Sequence, residues 1–186
     1  MLRLDEEVRS IQEMLRKSLH RDSITFHSFW ATRSIDILQS LNETNPTVVH
    51  FSGHGSDRDE LVLQDNKGDT KLITKEAIVQ TMVATESNIR LVLFNTCFSE
   101  GQAEAIVQHV DAAIGMSDSI SDDAARIFSS QFYSSIGFGL SIALAFEQAK
   151  AALMLEGIPE SETPRLFVRE NKDPNSMVIV KPEGVV

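Results

Sequence analysis

Apolar residues recur along the first twenty positions at a helical period. Leu4, Val8, Ile11, Leu15 and Leu19 are spaced by three or four, which places them on one face of a helix over residues 5–20. Asp5, Glu6 and Glu7 suit its positive N-terminal end, and His20 and Arg21 its C-terminal end. The run Ile24-Thr25-Phe26-His27-Ser28-Phe29-Trp30 is aromatic and β-branched, the pattern of a strand. Thr32 is placed to cap a second helix with Ile35, Leu38 and Leu41 inward, and Asn45-Pro46 stops it.

Residues 47–52 read as a largely buried strand that ends in Gly53-His54-Gly55. Leu61-Val62-Leu63 and Lys71-Leu72-Ile73 flank Asn66-Lys67-Gly68 and predict a small hairpin. Thr74 caps a third helix carrying Ile78, Met82 and Val83. Residues 89–94 form an apolar strand that stops at Asn95-Thr96-Cys97, followed by a helix over 100–109. A short strand at 112–115, helices opening at Asp122 and Ser141, and a strand at 166–168 complete the pattern. Gly137, and later Gly157 with Pro159, are the stop signals for those two helices. Alternating strands and helices define an α/β fold with a mainly parallel central sheet. With no repeat, low-complexity tract or linker, residues 1–186 read as one domain, in which 171–186 is a last strand or a tail.

Composition narrows the function. Hydrophobic residues make up 42% and charged residues 24% of 186, which is globular. A net charge of −10 argues against nucleic acid or an anionic membrane as partner. Cys97 is the single cysteine, so an internal disulfide and a multi-cysteine zinc site are excluded. His20, His27 and His109 lack metal-ligand spacing, and neither metal nor cofactor is expected. No apolar run reaches the roughly 18 residues of a membrane span, and no signal-like segment opens the chain. A cytoplasmic protein is the expectation. No sequence feature reports an oligomeric state.

Ligands of parallel α/β sheets sit beyond the carboxyl ends of the strands. Two strands end there in reactive residues, one at His54 and one at Cys97. If the strands are neighbours, both side chains emerge on the same edge. A thiol becomes a strong nucleophile beside a general base, and His54 can serve. Gly53 and Gly55 let backbone approach a substrate closely and leave the Gly55 amide able to meet a developing oxyanion. Against this stands the bland reading, in which a lone cysteine at a strand end is buried filler.

The segments His50-Phe51-Ser52-Gly53-His54-Gly55 and Leu93-Phe94-Asn95-Thr96-Cys97-Phe98-Ser99 resemble the histidine and cysteine motifs of CHAT domains. These are bacterial caspase-like cysteine peptidases related to separase, metacaspases and gingipains. Residues 2–8, Gly115-Met116-Ser117-Asp118 and Phe146-Glu147-Gln148-Ala149 resemble the family's other landmarks. The resemblance implies a three-layer α/β/α caspase-like sandwich. It implies Cys97 as nucleophile, His54 as acid–base partner, and the Gly55 and Cys97 amides as the oxyanion hole. Forty-three residues separate the pair (97 − 54), near the roughly 50 of caspases. The family's pattern begins with a strand before the first helix. That strand has no counterpart here, and Met177-Val178-Ile179-Val180 is apolar enough to fill its place.

The expected activity is endopeptidase cleavage of a protein substrate through a thioester. A bacterial signalling or defence role, under control of a separate regulatory or sensor protein, follows from the resemblance. Two alternatives stay open: a silent pseudo-peptidase acting as an interaction module, and a hydrolase of small thioesters or amides. For substrate contacts the sequence offers Asp118, Phe98 and Met116. Asp57, Asp59, Glu60 and Asp118 surround the site in sequence with Arg58 as the one nearby cation. Aspartate at the cleavage position should be rejected, and a basic residue preferred over a medium apolar one. His50 reads as a core histidine, Asp122 and Asp123 as cap and dipole partners, and Trp30, Phe132 and Tyr133 as packing residues.

Overall fold

The structure, a computed structural model, describes residues 3–85 and 88–181. The order of elements is α1 (Leu4–Lys17), α2 (Asp36–Thr44), β1 (Val48–Ser52), β2 (Leu61–Gln64), β3 (Thr70–Ile73), α3 (Lys75–Ala84) and β4 (Leu91–Asn95). Then come α4 (Glu100–Ile106), β5 (Ala112–Met116), α5 (Asp122–Gly137), α6 (Ile142–Leu155) and β6 (Pro164–Val168). The chain gathers into two compact units. One comprises the described parts of Met1–Phe26, Ile120–Pro164 and Asn171–Val186; the other comprises His27–Ser119 and Arg165–Glu170.

The second unit holds the sheet, in strand order β1-β4-β5-β6. β1 pairs with β4 and β4 with β5 in parallel. The Arg169 amide, one residue past β6, donates to the Asp111 carbonyl, one residue before β5. That places the end of β6 beside the start of β5, an antiparallel edge on a parallel sheet. Alternate residues share a face, so Val49, Phe51, Val92, Phe94 and Ala113 meet Ile37 and Leu41 of α2, Ile78 and Met82 of α3, and Ala103 and Ile106 of α4. Phe51 stacks on Phe94 with centroids 5.3 Å apart. Every residue of β4 and β5 is buried, which is why both read as unbroken apolar runs rather than alternating ones. The α/β class and mainly parallel sheet are those the pattern predicts. β2 and β3 form the expected hairpin, with Gly68 at φ +84° in its turn. The Thr74 hydroxyl accepts from the Ala77 amide and caps α3.

The first unit is helical. Ser121 and Ser141 cap α5 and α6 by accepting from Ala124 and Leu144. Phe128 stacks on Phe132 and meets Phe146 edge-on. At Gly137 an added Cβ would collide with the buried Ser18 side chain, and the His20 amide donates to the Gly137 carbonyl at 3.0 Å. The ends of α1 and α5 therefore meet where no side chain intervenes. Buried Tyr133 on α5 has a phenol raised well above its usual range, first by burial and then by the charge of Glu7 on α1.

Several predicted details differ. Residues 24–30 form no strand. Ile24 and Phe26 are half-buried between exposed neighbours, yet no ladder runs through the stretch among the described residues. Trp30 is 54% exposed instead of packed. Thr32 does not cap α2, because its hydroxyl donates to the Phe29 carbonyl in a turn. The helix starts later, at Asp36, and Ile37 with Leu41 faces inward while Ile35 and Leu38 are exposed. Val83 and Leu19 are exposed as well. α4 ends at Ile106, short of the expected 109. Met177–Val180 makes no strand: Met177 and Val180 are buried, and Val178 forms one isolated bridge to Ser141 within the first unit. Residues 182–186 of the expected terminal segment lie outside the described residues. Among the described residues no helix is long and apolar enough to cross a membrane.

Tyr133 is the single tyrosine, so its ionisation can be read directly by ultraviolet absorbance. A phenol raised in the folded state makes the unfolded chain lose its proton first. Stability should therefore fall as pH rises above the ordinary tyrosine value of about 10. The tyrosinate signal is expected to appear together with loss of helical circular dichroism, not before it. Tyrosinate formation near pH 10 with the fold intact would contradict the burial.

Candidate active site

β1 and β4 end level. Their register runs Val48↔Leu91 through Ser52↔Asn95, so Ser52 and Asn95 are opposed at the carboxyl edge. His54 lies two residues past Ser52, and Cys97 two residues past Asn95. The two loops therefore leave neighbouring strands at the same height. Gly55 sits directly on the Cys97 backbone: a Cβ there would overlap the Cys97 carbonyl oxygen and stand 3.1 Å from the carbonyl carbon and 3.3 Å from the nitrogen. Only a hydrogen fits. Gly55 bridges Leu61, but the ladder beside it is carried by its neighbours. The His54 carbonyl accepts from Val62 at 3.1 Å, and the Ser56 amide donates to Glu60 at 3.0 Å. The Gly55 amide is thus left out of the ladder. His54 is exposed and Cys97 partly so.

The loop after Cys97 is held from below. Phe98 has φ +53°, a left-handed value that costs a non-glycine residue on the order of 1–3 kcal/mol. The Phe98 amide donates to the Asp118 carbonyl at 3.3 Å, and the Ser99 amide to the Met116 carbonyl at 2.9 Å. The fully buried Ser99 hydroxyl lies 2.8 Å from the Thr96 carbonyl and 3.0 Å from the Phe94 carbonyl, and accepts from the Met116 amide at 2.9 Å. One hydroxyl thus ties the end of β4, the Cys97 loop and the end of β5. Gly115 lets this happen, since a Cβ there would strike the Ser99 carbonyl.

Of the residues expected to line a substrate pocket, Phe98 and Asp118 are exposed beside the Cys97 loop. The Asp118 carboxylate accepts from the Ser119 amide at 2.6 Å. Met116 is different. It is completely buried as the last residue of β5, so its side chain is inside the fold and only its backbone shapes the site. His50 lies within β1, opposite Leu93, partly buried. His20 follows α1, His27 is exposed in the irregular stretch after it, and His109 lies just past α4. The cap of α5 is Ser121, not Asp122, and Asp123 pairs with Arg126 at 3.1 Å. Phe132 is buried. Sequence reasoning missed Ser99. A serine just before Glu100 reads as a helix cap, and that local signal concealed a hydroxyl turned inward.

The sheet, with its histidine loop and cysteine loop leaving one edge, is of the caspase-like fold class. A secreted C11 cysteine protease from Bacteroides thetaiotaomicron, solved with an irreversible peptide inhibitor, is similar in fold. The TM-score is 0.53 at 13% identity, covering 72% of this chain and 44% of that one. Residues 3–166 match the family model of the CHAT domain, and the chain belongs to that family. It is 27% identical over 135 residues to a protein named "Probable protease" from Gillisia limnaea, covering 71% of this chain and 24% of the relative. It is 25% identical over 150 residues to a "Roc-COR-CHAT protease" of an unknown prokaryotic organism, covering 74% of this chain and 14% of the relative. The chain thus spans under a quarter of the length of the relatives it matches. The resemblance seen in the two motifs is confirmed, and the protein is protease-like in family and in fold.

The close seating of Gly55 gives a direct test. Gly55→Ala must push the histidine loop off the Cys97 backbone, at a cost of about 1–3 kcal/mol for an overpacked site. The expected outcome is a lower midpoint of unfolding and an exposed or displaced His54 loop, read by denaturant melts and by hydrogen exchange over residues 53–60.

Proposed function

We propose that this chain is a cysteine endopeptidase working through a Cys97–His54 dyad on a protein substrate. The observation that carries the reading is the level ending of β1 and β4. It sets His54 and Cys97 equally far past paired residues, with Gly55 against the Cys97 carbonyl. The relatives named as proteases and the cysteine-protease fold support it.

The Cys97 sulfur attacks the scissile carbonyl carbon, and its proton passes to His54. The carbonyl oxygen becomes an oxyanion that the Gly55 and Cys97 amides receive. His54 then protonates the leaving amine, the C–N bond breaks, and a thioester remains on Cys97. Water attacks the thioester while His54 takes its proton. The acid is released, and Cys97 recovers its proton from His54. The role is that of a regulated bacterial signalling or defence effector in the cytoplasm, held in check by a separate regulatory or sensor protein. The much greater length of the matched relatives supports control from outside this domain.

Cys97→Ala should abolish cleavage of a cognate protein, and His54→Ala should lower it by about 1000-fold, with far-ultraviolet circular dichroism unchanged. Stoichiometric, His54-dependent labelling of Cys97 by a thiol-reactive peptide probe is the matching readout. Background labelling would instead favour a silent interaction module.

The loops next to the dyad carry acids, and Asp118 is exposed beside Phe98. Aspartate at the cleavage position is therefore disfavoured, and a basic residue is preferred through Asp118. A peptide-library profile checks this. Asp118→Ala should flatten the basic preference several-fold, and efficient cleavage after aspartate would refute it.

A further inference from the structure

Asp59 closes the turn that follows the histidine loop. Its φ is +57°, a left-handed conformation for a residue with a side chain. The turn is tightly held. Ser56 Oγ donates to the Glu60 carboxylate at 2.9 Å, and the Arg58 amide donates to Ser56 Oγ at 3.2 Å. This backbone places the Asp59 carboxylate over the first turn of α4. A Cβ on Gly101 would lie 2.7 Å from Asp59 Cγ and 2.9 Å from Oδ1, and closer still to Oδ2. The same carboxylate stands 3.8 Å from Lys75 Nζ at the start of α3. Ser99 gives α4 no side-chain cap, its hydroxyl being turned to Phe94, Thr96 and Met116.

Gly101 is four residues past Cys97, and Asp59 five past His54. The contact between them therefore joins the segments that follow the two reactive residues. We propose that Asp59 is a positioning residue: its carboxylate, seated on Gly101, clamps the His54 loop to the helix that follows the Cys97 loop and sets how the two side chains face each other. The proposal rests on the reading of Cys97 and His54 as the reacting pair. Misplacing a reacting group by about 1 Å can cost 100-fold in rate, so a strained loop residue can be worth keeping.

The test uses Asp59→Ala, Gly101→Ala and the double variant, with a thiol-reactive peptide probe for Cys97 and hydrogen exchange. Each single change is expected to slow the saturated labelling rate about tenfold, with the half-saturating probe concentration moved less than about twofold. The double variant should be no slower than the worse single one, because both remove one contact. Exchange over residues 53–60 should rise in both single variants. Labelling of Asp59→Ala within twofold of the parent, multiplicative losses in the double variant, or unchanged exchange at 53–60 would each overturn the clamp. If the parent chain is not labelled at all, the peptidase reading falls, and exchange alone decides the clamp. Should Asp59→Ala fail to fold, Asp59→Asn keeps the shape and tolerates left-handed φ. It is expected to slow labelling at least threefold through loss of charge, and an unchanged rate would overturn the proposal.

Discussion

The five parallel pairs from Val48↔Leu91 to Ser52↔Asn95 are the constraint on which the rest depends. A slip of one residue would turn Val49 and Phe51 away from the core and bring Val48, His50 and Ser52 into it. The Phe51–Phe94 stack resists such a slip, because the rings pack only when the strands are level. The register that packs Phe51 on the buried Phe94 also brings the histidine and cysteine loops off the sheet at one height.

Above the sheet, small residues and one hydroxyl do the locating. Gly55 lies against the Cys97 carbonyl, and Gly115 against the Ser99 carbonyl. Ser99 then joins the ends of β4 and β5 through the carbonyls of Phe94 and Thr96 and the amide of Met116. These contacts are mostly to backbone. The Cys97 loop is consequently held in a left-handed turn at Phe98 by bonds that do not depend on which side chain fills that position.

Where burial and local capping agree, the sequence reads well. β4 and β5 are continuous apolar runs, α5 ends at its glycine, α6 begins behind its serine, and the hairpin of β2 and β3 follows from Asn66-Lys67-Gly68. His54 and Cys97 were legible because each follows an apolar strand. What escaped the sequence depended on partners distant along the chain. The stretch 24–30 has strand composition, but a strand exists only when another chain segment completes its ladder. Ile35 and Leu38 have helical spacing, but α2 starts at Asp36, which pairs bidentately with Arg33, and its inward face is Ile37 and Leu41. Met116 continues its strand by one residue and so is buried where a loop residue would have been open.

The path of the chain through the sheet has a consequence for synthesis. The strip Arg165–Glu170 that completes the second unit is separated from the rest of it by all of residues 120–164. β5 is made of apolar residues and glycine alone, and its outer edge pairs with β6 in the finished sheet. Until β6 emerges, about 50 residues later, that edge has no strand to cover it. At roughly 5–20 residues per second the interval is about 3–10 s. For that time a nascent chain presents an uncovered apolar edge, the kind of surface on which neighbouring copies on a polysome join strand to strand.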